Sequence, residues 1–249
     1  NIKHLLAYSS VENAGILLMG IGSALIFSAN GKGGLAALAW SAVLIHSMNH
    51  AVVKALLFMA SGAVIQATGT NNMERLGGLL KPMRYTALFC LAGIIGITAL
   101  PPFNGFFSEW LTYQSLFFLS QSVTGNTAKL GSVIMVAALG MTGAMALTAF
   151  AKLFGIVFLA KARSVSAQTA TEASPPMLVA MGVLAVFCLG LGVWPQPILG
   201  YLKLMLSGYS GMYSEAIILP WYAVSFQFQG LQGQISLPAV LLVLAAGSL

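Results

Sequence analysis

The sequence predicts an all-α protein, a polytopic bundle of transmembrane helices, and two observations carry that prediction. The chain is 58% hydrophobic and only 6% charged, where a soluble domain has about 25% charged residues. A chain this apolar cannot cover itself with polar surface in water. Its apolar residues also come in long runs, at 13–29, 84–100, 131–151 and 177–193. Each approaches the roughly 20 residues that span a bilayer as a helix. Strands of a membrane barrel would alternate apolar and polar side chains, and these segments do not.

The elements follow in order. The first crossing runs from about 8 to 28, and a short Gly-rich link holds Lys32. A second helix over 35–66 is longer than one bilayer thickness, so it tilts, breaks or protrudes. After the polar connection TGTNNMERLGGLLKPMRY come an apolar piece at 84–100, the sequence PPFNG, and a second apolar piece at 106–119. Residues 120–130 form a polar loop and 130–160 a long helix. The stretch KARSVSAQTATEASPP is rich in Ser, Thr and Ala and reads as a loop. Residues 177–194 cross again, 200–234 form a loop with amphipathic pieces, and a final crossing begins at Leu237. The first residues, NIKHLLAYSS, and the last, VLLVLAAGSL, read as a piece truncated at both ends.

The net charge of +6 is spread singly between apolar runs, which points to membrane topology rather than to nucleic acid. If 84–119 is one interrupted crossing, Lys3, Arg75, Lys81, Arg84, Lys161 and Arg163 share one face and Lys32, Lys129 and Lys203 the other. Six against three puts the N-terminal end and the 69–84 loop in the cytoplasm. If 84–119 is a hairpin of two crossings, the later loops swap sides and the count is again six against three. Charge therefore orients the N-terminal end and leaves hairpin and broken helix both open. Cys90 and Cys188 lie in apolar segments without metal-ligand spacing, where thiols pack.

The remaining basic residues lie inside helices. An ionisable side chain at mid-membrane costs about 2.5–3.5 kcal/mol on insertion scales, and such residues mark ion paths. In IHSMNHAVVKALLF, His46, His50 and Lys54 stand at i, i+4 and i+8, on one helical stripe about 12 Å long. Histidine accepts on one ring nitrogen and donates from the other, and a buried lysine can release its proton, so the stripe can form part of a proton wire, with Ser47 and Asn49 ordering water beside it. The competing reading is hydrogen bonding between helices. In ITALPPFNGFFSEW, two prolines, Asn104 and Gly105 interrupt an apolar segment at 101–105. Broken helices recur at transporter ion sites, and Glu109 follows the break. The competing reading is a surface loop with Trp110 as an interfacial anchor. Lys152, about 13 Å of helix from Lys161, is expected to face inward. Glu12 is placed with Lys152 among the proton-path candidates, although it falls near the start of the first crossing, where a carboxylate also suits a helix N-terminus. There is no phosphate-binding loop, Cys-x-x-Cys or paired-haem pattern, so no cofactor, metal or catalytic residue is expected in this chain.

The strings IKHLLAYSSVENAGILLMGIG, NHAVVKALLFMASGAVIQATGTNNMERLGGL, ALPPFNGFFSEWLTYQSLF and AKLFGIVFLAKARS resemble the antiporter-like subunits of respiratory complex I and its relatives. Glu-Asn after LAYSS, the Pro-Pro-x-Asn-Gly break and the Glu-Trp after it point to the branch of hydrogenase 4 and formate hydrogenlyase complexes. The resemblance implies an antiporter-like fold of two inverted five-helix repeats, each with one broken helix. Residues 1–130 would form most of the second repeat and 131–249 the helices after it. It implies a single broken crossing at 84–119 and a hydrated proton axis onto which His46, His50, Lys54 and Glu109 fall. It further implies a multi-pass, non-redox subunit in a bacterial or archaeal inner membrane, translocating protons while electrons move in partner subunits. Those partners would be other membrane subunits and, through them, nickel-iron hydrogenase and iron-sulfur subunits. Two alternatives stand beside it: an antiporter-like subunit of an NADH-quinone oxidoreductase or cation/proton antiporter, and a non-conducting membrane scaffold. Position 4 is His where the family usually has Arg, and the first repeat, with its own Glu–Lys pair, is missing.

Overall fold

The computed structural model describes residues 1–122 and 125–210, and beyond them 217–218, 223–228, 231–236 and 240. The helices are α1 (Ile2–Ala29), α2 (Gly33–Thr68), α3 (Arg84–Ile97), α4 (Asn104–Ser122), α5 (Asn126–Phe154), α6 (Val165–Gln168), α7 (Pro175–Val193) and α8 (Gln196–Ser210). Helix α5 runs on into a π-helical turn, Gly155–Leu159. Four of these are long and apolar enough to cross a membrane: α1, α2, α5 with its π turn, and α7.

The expected helical body is present, with three departures in the loops and connections. The loop expected at 120–130 is shorter, because α4 extends to Ser122 and α5 begins at Asn126. The Ser/Thr-rich loop holds the one-turn α6, started by the Ser164 side chain accepting from the Ala167 amide. Within 200–234, expected as a loop with amphipathic pieces, the described residues hold helix and strand: α8 reaches Ser210, and a small antiparallel sheet pairs β1 (Ile217–Ile218) with β2 (Ala223–Phe228) and β2 with β3 (Leu231–Ser236). The crossing expected from Leu237 lies outside the described residues apart from 240.

Helix α2 is the hub. Its 36 residues rise about 54 Å unbroken. Small side chains such as Ala36, Ala39, Ala42, Ala60 and Ala63 are buried along it, which lets neighbouring helices approach closely. Helix α1 runs antiparallel to it, so that Leu6 and Ser9 lie by Lys54, Asn13 by His46 and Gly20 by Val43.

The contacts of α2 also decide between hairpin and broken helix. Following α3 and then α4, Gly93 meets Leu57, Gly96 meets Val53, Asn104 bonds Asn49 and Ser108 bonds His46. Farther on, Phe107, Leu111, Phe118 and Leu119 share an apolar cluster with residues 35–45 of α2. The two pieces thus climb α2 in a single direction, as one interrupted crossing. The break itself covers 98–103 rather than 101–105. A residue before proline is pushed out of the helical region, so α3 stops ahead of Pro101, while Asn104 and Gly105 already belong to α4.

One end of the bundle gathers the N-terminus, the 69–83 connection and the 155–174 segment. The Ile2 amide donates to Asn71 O at 3.0 Å. The Leu79 and Leu80 amides donate to Val157 O and Phe158 O at 3.4 and 3.1 Å, taking carbonyls that a helix C-terminus leaves free. The Ser164 hydroxyl donates to Arg75 O at 2.7 Å. Lys3, Arg75, Lys81, Arg84, Lys161 and Arg163 are all exposed at this end.

Candidate functional site: a buried polar belt on α2

Two apolar clusters divide the bundle. One joins the C-terminal half of α2 to α1, α3, α5 and α7. The other joins residues 35–45 of α2 to the end of α1, α4 and α8. Between them lies a belt of polar side chains centred on residues 46–54.

Lys54 is 8% exposed. Its ammonium donates to Leu6 O and, at 2.6 Å, to the Ser9 hydroxyl oxygen. The Asn13 side-chain amide donates to Ser9 O at 2.8 Å, which turns its Oδ1 toward His46 Nε2 at 3.1 Å. The other ring nitrogen of His46, Nδ1, lies 3.1 Å from Ser108 Oγ on α4. One imidazole therefore ties α1, α2 and α4 together. His50 follows one turn later with its ring nearly parallel to that of His46, at 18° with centroids 6.4 Å apart.

The break is fastened to the same place. Asn49 Nδ2 donates to Asn104 O at 2.8 Å, and Asn104 Nδ2 donates back to Asn49 O at 3.4 Å. The Gly105 amide donates to Asn104 Oδ1 at 3.1 Å. Gly105 is required here, because a side chain on it would strike Gly96 O in the last turn of α3. Gly192 of α7 lies as tightly against Pro102 and Phe103.

Behind the break sits a small cavity lined by Asn13, His46, Asn49, His50, Ser108 and Glu109, among others. It offers about 10 Å³ to the centre of a water molecule, room for about one. Asn49 Oδ1 and His50 Nδ1 are buried without a hydrogen-bond partner. Glu109 is half-buried on the wall of this cavity, one residue beyond Ser108.

The sequence-predicted residues thus divide. His46, His50, Lys54 and Glu109 come together around the belt and its cavity. Glu12 is half-buried on α1 and lines a groove of about 420 Å³ between α1 and α5 with Tyr8, Ser9 and Thr142. It is not at a helix N-terminus, since α1 begins at Ile2. Lys152, expected to face inward, is exposed on α5 and lines neither cavity. Ser47 is exposed as well, and Asn49 holds the break. Ser9, Asn13 and Ser108 carry the belt and were not among the predicted residues. Ser9 and Asn13 share an i, i+4 spacing at the edge of the apolar run 13–29, but that spacing alone does not single them out.

A multi-helix membrane fold with an interrupted crossing clamped to a buried histidine–lysine stripe defines an antiporter-like membrane subunit. The chain belongs to the family described as NADH:quinone oxidoreductase/Mrp antiporter, transmembrane, whose model matches residues 1–135. It is 43% identical over 188 residues to hydrogenase-4 component B of Escherichia coli K12, covering 76% of this chain and 28% of that one. It is 40% identical over 202 residues to formate hydrogenlyase subunit 3 of the same organism, covering 80% of this chain and 33% of that one. The chain thus spans about a third of the length of these relatives. In the structure of an archaeal membrane-bound sulfane sulfur reductase, a chain superposes with a TM-score of 0.66 at 21% identity, over 96% of this chain and 39% of that one.

Proposed function

We propose that this chain is the proton-translocating part of an antiporter-like membrane subunit in a hydrogenase- or formate hydrogenlyase-type complex. Residues 1–130 would form most of its second repeat. The observation that carries this reading is the hydrogen-bonded belt from Lys54 through Ser9, Asn13 and His46 to Ser108, ending at a cavity that Glu109 shares. Every member can give or take a proton or orient a group that does. Buried ionisable groups in a membrane helix are costly, and they persist where they serve an ion path. Partner subunits of the complex would carry the electron transfer that drives the movement. The end bearing six exposed basic residues would face the cytoplasm of a bacterial or archaeal cell.

The test is Glu109→Gln and Glu109→Asp in the intact complex, measured as dye-monitored acidification of membrane vesicles and normalised to assembled complex. Gln cannot change protonation state and should impair translocation; Asp should retain part of it. If Gln and wild type acidify alike at every pH, Glu109 carries no proton and its place in the path is wrong.

A further inference from the structure

We infer that Ser108 is the residue that lets His46 change charge state inside the bundle, by turning its hydroxyl between the imidazole and the Gly105 carbonyl. The inference rests on the proton-path reading above and assigns a positioning role within it.

Donors and acceptors around the ring fix where its protons can sit. Asn13 gives its amide hydrogens to Ser9 O, so it presents only an acceptor, Oδ1, to His46 Nε2. Nε2 must therefore carry hydrogen in every state. What happens at Nδ1 depends on Ser108, whose oxygen lies 3.1 Å from Nδ1 and 3.1 Å from Gly105 O. A hydroxyl has one hydrogen and two lone pairs. With His46 neutral, the Ser108 O–H donates to Nδ1. With His46 charged, Nδ1–H donates to Ser108 Oγ and the Ser108 O–H turns to Gly105 O. Neither state leaves a ring nitrogen without a partner, although His46 is 4% and Ser108 0% exposed. Leaving such a group unpaired would be expensive.

The same geometry lets the ring take up a proton. A proton leaving Glu109 through the cavity that it and His46 both line settles on Nδ1 as the Ser108 hydroxyl turns away. Glu109 then becomes a carboxylate, His46 an imidazolium, and Ser108 keeps one hydrogen, now pointing at Gly105 O. Gly105 lies in the first turn of α4 beside the break, so charge on α2 is registered as a hydrogen bond on the broken helix. Among the described residues, the titratable groups nearest the ring are His50 and Lys54 on its own helix and Glu109 on α4, with Glu12 on α1 beside Asn13. Helices α3, α6, α7 and α8 contain no Asp, Glu or His.

The experiment uses the complete membrane complex in vesicles, with His46→Gln, Ser108→Ala, Ser108→Cys and Ser108→Thr, each normalised to assembled complex over a range of pH. Hydrogen bonds to charged groups are the stronger ones, so Ser108→Ala disfavours charged His46 more than neutral His46. Translocation should fall several-fold at neutral pH and recover on acidification, its profile moving down by about one pH unit. Cys, a weak donor and acceptor, should fall between, and Thr should keep the wild-type profile. A merely structural lesion would lower the rate without moving the profile. A Ser108→Ala loss that acid does not reverse, shared by Ser108→Cys, overturns the inference. So does an unchanged rate and profile in Ser108→Ala when His46→Gln is impaired. If His46→Gln itself translocates like wild type, the proton-path reading fails first, and the inference with it.

Discussion

Lys54 and Lys152 each stand within a long apolar helix, and the bundle treats them in opposite ways. Lys54 is buried, with two acceptors offered by α1. Lys152 sits between Phe150 and Leu153, which are buried at 1% and 4% exposure, yet it points away from them and is exposed. The difference comes from the two helices. Helix α2 is surrounded by α1, α3, α4, α7 and α8. Helix α5 buries only one stripe, Ser132, Leu139, Ala146, Phe150 and Leu153. A charge in an apolar segment is thus not informative by itself; the acceptors presented by the facing helix decide whether it belongs to the interior.

The largest test of this contrast is a matched pair of substitutions, Lys54→Met and Lys152→Met. Methionine keeps the stem length and removes the ionisable group. Proton translocation by vesicles containing the assembled complex should fall at least roughly tenfold for Lys54→Met, in line with losing a positioned proton-transfer group. For Lys152→Met it should stay within about twofold, as for surface substitutions generally. Equal losses at the two positions would erase the distinction drawn from burial.

A second pair asks whether the contrast extends to packing. A side chain added at Gly105 collides with Gly96 O, whereas one added at Gly143 on α5 meets nothing within 4 Å. Gly105→Ala should destabilise the full-length subunit by about 1–3 kcal/mol, the usual effect of overpacking. Gly143→Ala should be neutral or stabilise by up to roughly 1 kcal/mol through lower chain entropy. Thermal unfolding in detergent separates them, and similar shifts for the two variants would count against a tightly fastened break.

These contrasts also show what was legible in the sequence. Helices α1, α2, α5 and α7 were visible because run length alone marks a spanning helix. The stripe of His46, His50 and Lys54 was visible because i+4 spacing is fixed by helical geometry. The break was visible through Pro101 and Pro102, but its limits were displaced, because proline ends a helix upstream of itself and the Asn49–Asn104 exchange allows the next helix to start at once. Ser9, Asn13 and Ser108 were missed because small polar residues in apolar runs have no pattern of their own; they matter only through partners on another helix. Lys152 was misplaced for the same reason. The competing helix-start reading of Glu12 fails because α1 begins before its apolar run does, under a cap supplied by Asn1.

The smallest effect is expected at Glu172, a charge of a third kind, half-buried in the connection before α7. One carboxylate oxygen accepts from the Tyr85 amide at 2.8 Å; the other accepts from the Thr86 hydroxyl at 2.6 Å and the Thr86 amide at 3.4 Å. These are donors that the start of α3 would otherwise leave free, and a carboxylate there also complements the helix dipole. Glu172→Ala should destabilise by about 1 kcal/mol, the usual effect of losing an N-terminal cap. Glu172→Gln should fall between, since its amide oxygen can still serve Thr86 while its NH2 meets the Tyr85 amide as a second donor. Amide exchange at Tyr85 and Thr86 should quicken in the same order, with translocation unchanged. If Ala and wild type exchange alike, the contact does not hold α3. If translocation falls in Gln, the charge itself matters, and the division between the buried polar belt and structural charges at the bundle end would have to be redrawn.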